Sequence, residues 1–198
     1  MDDPVFLEQL RAGDEQAFRR LVEENQRLLY AVCLRMMGDS AEAEELTQEV
    51  FIRAFQAIDR FEERAKLSSW LCKIAVNLCY NRIQYLQRRG GKKKRSLDHF
   101  VGDRWERELN HAHPLSAKIQ GPEEAQNSKE VMTLISRALL HLSEELRSLV
   151  ILRDVEELSY QEIVEITGLQ LGTVKSRLHR ARGQVFRIYE ALQRGDFK

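Results

Sequence analysis

The segment Gly172-Thr-Val-Lys-Ser-Arg-Leu-His-Arg-Ala-Arg182 holds the densest set of groups able to do chemistry, and that chemistry is recognition. On a helix, Val174, Leu178, Ala181 and Val185 fall within about 60° of one another at 100° per residue, which defines a buried stripe. Ser176, His179, Arg180 and Gly183 then point the opposite way. A hydroxyl, an imidazole and a guanidinium are groups that pair with base edges in a major groove. Lys175, Arg177 and Arg182 lie on the flanks, where cations meet phosphates. No acidic residue occurs between Glu165 and Glu190, so nothing on this helix repels a phosphate.

A second stripe runs through Trp70, Lys73, Asn77, Asn81, Gln84 and Arg88 at three- and four-residue steps. An aromatic ring, carboxamides and cations along one line suit a single-stranded nucleic acid: stacking, base-edge hydrogen bonds and phosphate neutralisation. Trp70 suits a core anchor equally well. On the other side fall Leu71, Ile74, Leu78, Arg82 and Tyr85, and all but Arg82 can pack inward. A third face precedes these. The segment from Ser40 to Asp59 has an apolar side of Ala43, Leu46, Val50, Ala54 and Ile58, and its first half carries Glu42, Glu44, Glu45, Gln48 and Glu49 outside. Such a face fits a basic protein surface, although the helix dipole alone accounts for Glu42 and Glu44.

The elements that must hold these residues are helical. Between Pro4 and Pro114 there is no proline, and apolar residues recur at helical intervals. The pattern predicts helices over 4–11, 15–37, 40–59 and 68–88, with Asp14 and the Gly38-Asp39 pair marking ends, and Asp39 and Glu42 at capping-box spacing. From 89 to 126 the periodicity fails and glycine, proline and polar residues cluster, which reads as a flexible linker. Helices over 127–141, 144–155, 160–167 and 173–191 follow, with Asn127, Ser143, Ser159 and Thr173 as candidate N-caps. The segment from Ser159 to Arg182 thus has the helix-turn-helix layout, with Gly168 at the turn. No strand signal survives. The expected fold is all-α, two small helical domains over 1–88 and 127–198 joined by the linker 89–126.

Composition narrows the class. The chain has 198 residues, 31 basic and 31 acidic, with 43% apolar residues. The zero net charge resolves into −8 over residues 1–63, +10 over 64–97, −7 over 98–166 and +5 over 167–198. Two dense basic segments, each following an acidic one, are consistent with phosphate partners. No apolar run is long enough to span a bilayer and the acidic start is unlike a secretory signal, so a cytoplasmic protein without membrane insertion is expected. Cys33, Cys72 and Cys79 are odd in number and lack a CxxC pair, which suggests buried or semi-buried thiols and neither a disulfide framework nor a zinc site. His111 and His113, with Asp103 or Glu108, offer only a weak metal signal because no third ligand is fixed. No P-loop and no nucleophile with a paired base occurs, so neither an enzyme nor a cofactor or metal is expected.

Three strings taken together resemble one family. They are Ala41-Glu-Ala-Glu-Glu-Leu-Thr-Gln-Glu-Val-Phe-Ile-Arg-Ala-Phe55, then Ser69-Trp-Leu-Cys-Lys-Ile-Ala-Val-Asn77, then Leu158-Ser-Tyr-Gln-Glu-Ile with Gly172 to Arg182. In order and separation they resemble the extracytoplasmic-function (ECF) sigma factors of bacterial RNA polymerase. The resemblance implies a first domain, region two, that docks on the β′ clamp helices of core polymerase and opens the minus-ten element. It implies a second, region four, that binds the β-flap and reads the minus-thirty-five element. By motif, Glu44, Glu45, Gln48 and Glu49 become the polymerase-binding face. The loop from Phe61 to Ser68 becomes the site that captures a flipped base, with Trp70, Lys73, Asn77 and Asn81 beside it. Lys175, Ser176, His179 and Arg180 match the minus-thirty-five contacts, with Arg177 and Arg182 flanking. An anti-sigma factor is a further candidate partner. His179 departs from the aromatic or Arg that other members carry, which leaves the base it reads open. The basic run from Arg88 to Arg95 is either a contact to nucleic acid in the polymerase or a plain tether.

The resemblance makes promoter opening a joint act with core polymerase, because melting costs a few kcal/mol per unstacked base. The free chain is expected to bind promoter DNA poorly. The competing reading is a free-standing helix-turn-helix regulator with a helical dimerisation or ligand domain, which predicts a stable dimer, a palindromic site and independence from polymerase.

Overall fold

The structure, a computed structural model, describes residues 3–62, 65–89 and 122–196. Helix α1 (Pro4–Arg11) starts where Asp3 accepts the Val5 N–H and proline occupies the first turn. Helix α2 (Glu15–Met37) starts at Asp14, whose carboxylate accepts the Ala17 N–H at 2.8 Å, and stops at Gly38, which adopts a φ of 68°. Asp39 then opens α3 (Ser40–Ala57) by accepting the Glu42 N–H at 3.0 Å. A 3-10 turn over Ile58–Arg60 replaces the last turn expected of that helix. Helix α4 (Leu67–Arg89) packs against α2 and α3 through Leu67, Leu71, Cys72, Ala75 and Cys79, all fully buried.

The second unit comprises α5 (Pro122–Leu140), α6 (Glu144–Val150), α7 (Tyr160–Thr167) and α8 (Leu171–Gln193). Ser159 and Glu162 form the expected reciprocal capping box at α7, and Gly168 closes it with a φ of 70°. Val174, Leu178 and Ala181 form the buried stripe of α8, as the periodicity predicts. Among the described residues there is no strand, so the fold is all-α.

Four local expectations are corrected. Helix α5 begins at Pro122, so Asn127 lies inside it and is no cap; proline suits a first helical turn, where its missing N–H is not needed. Helix α8 begins at Leu171 with Gln170 as its cap, because the turn after Gly168 needs only two residues; Thr173 already lies in the first turn. The helix expected over 144–155 changes at Val150 into a π turn, Ile151–Val155, closed by the Glu156 N–H on the Ile151 carbonyl at 2.9 Å. Tyr85 does not pack inward: it is 47% exposed and carries the Arg89 guanidinium over its ring.

The two units meet. Helix α4 packs on α7, and α2 packs on α5, α6 and the π turn, so the buried apolar residues of both units join in one cluster.

Candidate nucleic-acid interface

The outer face of α8 presents Lys175, Ser176, His179 and Arg180, all exposed. The Ser176 hydroxyl donates to the Thr173 carbonyl at 3.1 Å, and the Lys175 ammonium sits 5.6 Å from the Tyr160 ring centroid. The flanking arginines are engaged within the unit. Arg177 pairs with Glu145 at 2.7 Å, and Arg182 makes two bonds to Asp154, one of them 2.9 Å from Nε. The hydrogen bond to Asp154 raises the Arg182 pKa above its usual value. Both pairs tie α8 to α6 and the π turn beneath it, and so fix the pitch of the outer face.

On α4 the stripe is real. Lys73, Asn77, Asn81, Gln84 and Arg88 are exposed along one side of a helix that covers about 27 Å between residues 70 and 88. Trp70 is half-buried, and its ring lies 5.3 Å from the Phe61 ring at a 49° tilt. Phe61 itself is only 4% exposed, and its carbonyl accepts from the Arg11 guanidinium at 3.1 Å. The start of the α4 stripe is therefore braced from α1.

The acidic side of α3 is less uniform than its sequence. Glu44 and Gln48 line a cavity of about 420 Å³ with Gln26, Arg27, Tyr30 and Phe51. Glu49 pairs with Arg53 one turn on, at 2.7 Å. Glu45 is drawn toward α4, where Arg82 binds it and also reaches Glu42 at 3.1 Å; the bond to Glu45 raises the Arg82 pKa. Beside these acids stands an apolar ridge that the sequence reading missed. Ile52 is 52% and Phe55 56% exposed, and Phe18 meets Phe55 edge-on at 4.7 Å. Its signal was present: Phe51, Ile52 and Phe55 lie off the buried stripe of their own helix. Apolar centre and polar rim together are the anatomy of a protein-docking patch.

Cys33, Cys72 and Cys79 are fully buried, as expected, and burial pushes the Cys72 thiol up to about 12. Among the described residues no group of His, Cys, Asp and Glu is placed to hold a metal, and no helix is long and apolar enough to cross a membrane. His111, His113, Asp103 and Glu108 lie outside the described residues, as does most of the basic run 88–95.

Comparison with known proteins matches residues 21–89 to sigma-70 region 2 and residues 132–185 to sigma-70 region 4. The chain is 35% identical to the ECF RNA polymerase sigma factor SigW of Bacillus subtilis over 182 residues, covering 89% of this chain and 90% of that one. It is 34% identical to the ECF RNA polymerase sigma-E factor of Escherichia coli K12 over 183 residues, covering 92% and 91%. Its fold is similar to that of the sigma factor RpoE from Bartonella quintana, solved in complex with the anti-sigma factor NepR. That likeness has a TM-score of 0.62 at 22% identity and covers 87% of this chain and 96% of the other. With both regions matched in order over most of its length, the chain belongs to the ECF sigma factors of RNA polymerase.

Proposed function

We infer that the chain binds core RNA polymerase in the cytoplasm and directs it to promoters by reading two elements and trapping the strand that opens between them. The observation that carries this reading is the coexistence of two exposed recognition faces, one on α4 and one on α8, with a separate docking patch on α3. Each face matches one step. Lys175, Ser176, His179 and Arg180 contact the minus-thirty-five duplex, while Arg177 and Arg182 orient the helix and add charge near phosphates. Trp70, Lys73, Asn77 and Asn81, with Phe61 behind Trp70, hold the unpaired minus-ten strand. Glu44, Glu45, Gln48 and Glu49 surround the Ile52 and Phe55 ridge and dock on the β′ clamp helices. The second unit, which starts with α5 at Pro122, docks on the β-flap. The chain performs no covalent step; its work is binding energy delivered where bases unstack. An anti-sigma factor is a further partner, the class of partner held by the Bartonella quintana neighbour.

The docking assignment is tested by Gln48→Lys combined with Glu49→Lys. These side chains leave the core untouched, so helix content is expected to stay constant while affinity for core polymerase falls at least tenfold. Unchanged affinity refutes the assignment.

A further inference from the structure

The three cysteines of the chain meet in the core of the first unit, Cys33 from α2 and Cys72 and Cys79 from α4, each fully buried. Their surroundings differ. The Cys33 and Cys79 thiols are in hydrogen-bond contact where α2 packs on α4, and the Thr47 hydroxyl of α3 also meets Cys33. The bond from Cys79 holds the Cys33 thiol below its usual value against the opposing effect of burial, while the same bond and burial push Cys79 well above it. Cys72, which burial raises to about 12, stays a neutral thiol. Because the thiolate is the nucleophile, burial alone keeps a thiol inert, and a donor beside it activates it.

A route leads toward Cys33. The cavity of about 420 Å³ between α2 and α3 is lined by Val22, Gln26 and Tyr30 on one side and by Thr47 on the other. Val22, Gln26, Tyr30 and Cys33 share one face of α2, within about 80° at 100° per residue, so Cys33 is the next residue along the face that lines the cavity. Thr47 is the boundary: it lines the cavity, is 8% exposed, and touches the sulfur. A water molecule occupies about 30 Å³ in the liquid, so the cavity has ample room for a small peroxide.

We propose that Cys33 and Cys79 form a peroxide-oxidisable pair, reached through the α2–α3 cavity past Thr47, whose disulfide distorts the face on which core polymerase docks. The oxidant is a hydroperoxide. The Cys33 thiolate attacks one peroxide oxygen, the O–O bond breaks, and the other oxygen leaves with the electron pair, which gives a sulfenic acid on Cys33. The Cys79 sulfur then attacks the Cys33 sulfur; its proton joins the departing hydroxide, water leaves, and the S–S bond forms. Two electrons have passed from the sulfur pair to the peroxide. An S–S bond is about 2 Å long, shorter than any hydrogen bond between thiols, so it draws α2 and α4 together in a core without slack. Thr47 rests on Cys33 and moves with it, and the next residue of α3 is Gln48. In a reducing compartment the bond reverts by thiol exchange, which makes it a transient state and not a structural bridge. The consequence for docking rests on the reading of α3 as the polymerase-binding helix; the thiol chemistry does not.

The test treats the full-length chain with hydrogen peroxide, alkylates the remaining thiols and maps the peptides without reduction. The expected product is Cys33 joined to Cys79, with Cys72 free. That pairing discriminates, because Cys72 and Cys79 are seven residues apart and Cys33 and Cys79 are 46 apart, and an unfolded chain closes the shorter loop more readily. In Cys79→Ser the Cys33 sulfenic acid loses its resolving thiol and is expected to be trapped by dimedone. Thr47→Val, which keeps the shape and removes the hydroxyl, is expected to slow Cys33 oxidation about three- to tenfold. The oxidised parent is expected to bind core polymerase at least fivefold more weakly and to recover with dithiothreitol. A Cys72–Cys79 bond as the main product, or three thiols that still alkylate in full, overturns the pair, and this result needs no variant to fold. A Cys33–Cys79 bond that leaves polymerase affinity unchanged upholds the pair and overturns its effect on docking. A reduced parent that does not bind polymerase overturns the docking reading alone.

Discussion

Arg147 offers the sharpest test of how the second unit is held together, because a single buried side chain there closes several backbone ends. It is 8% exposed and donates to the carbonyls of Leu139 at 3.0 Å, Leu140 at 2.8 Å, Leu142 at 3.1 Å and Met36. Leu140 and Leu142 end α5 and its turn, and Met36 ends α2, where carbonyls have no partner within the helix. Burial lowers the Arg147 pKa from its usual value, with nearby Glu144 opposing that shift. Arg147→Ala removes all four bonds at once. The Leu139 carbonyl keeps the Leu142 N–H, so three carbonyls lose their partner. At about 1–3 kcal/mol for each buried group left unsatisfied, and with water reaching some of them, the loss is about 3–5 kcal/mol. That is a large share of the 5–15 kcal/mol typical of a folded domain. For a chain of this length it corresponds to a fall of about 6–20 °C in Tm. Urea unfolding followed by circular dichroism measures it, with Arg147→Lys, a point charge that cannot fan out to four acceptors, expected to fall between parent and Ala. A loss within about 1 kcal/mol for Arg147→Ala refutes the claim that this side chain ties the backbone ends together.

Three further outcomes follow from the same geometry. Arg180→Ala is expected to cost about 1–3 kcal/mol at one base pair of the minus-thirty-five element; a uniform loss across all duplexes, measured by competition with the holoenzyme, makes Arg180 a phosphate contact instead. Glu162 is held down to about 2 by its bond from the Ser159 hydroxyl and then by Lys66 and the Ser159 N–H. A depressed carboxylate contributes stability that is fully present above its ordinary range and is lost as pH falls toward 2. The stability gap between the parent and Glu162→Gln should therefore be constant from pH 6 to 8 and shrink below about pH 4; a gap that widens on acidification contradicts the assignment. Trp70→Ala should weaken binding of the open minus-ten strand in the polymerase complex by about 1–3 kcal/mol, with duplex binding at the upstream element unchanged.

Much of the fold was legible because the caps are local. Asp14, Gly38-Asp39, the Ser159 and Glu162 box and Gly168 act within four residues of themselves, and all stand where their spacing places them. The outer face of α8 was legible for the same reason, since helical geometry alone divides Val174 and Leu178 from Ser176 and His179. What escaped is set by distant contacts. Nothing in the local pattern marks Arg35, Arg147 or Glu156, because their burial depends on contacts between the two units. The π turn has no sequence signature; it appears where α6 must turn onto α2. Phe55 lies off the buried stripe of Ala54 and Ile58, and periodicity alone does not say whether another element covers it. Glu45 looked free until Arg82, from a helix 37 residues on, was seen to bind it.

The central claim is that this chain confers promoter choice on core polymerase through two separate readers. Run-off transcription on a promoter library, with core polymerase and the full chain, tests it most directly. The account expects initiation only when both components are present, on promoters sharing one upstream and one minus-ten sequence, with Arg180→Ala relaxing only the first and Asn77→Ala only the second. Initiation independent of the chain, or a chain that binds a palindromic site tightly as a dimer without polymerase, would contradict it.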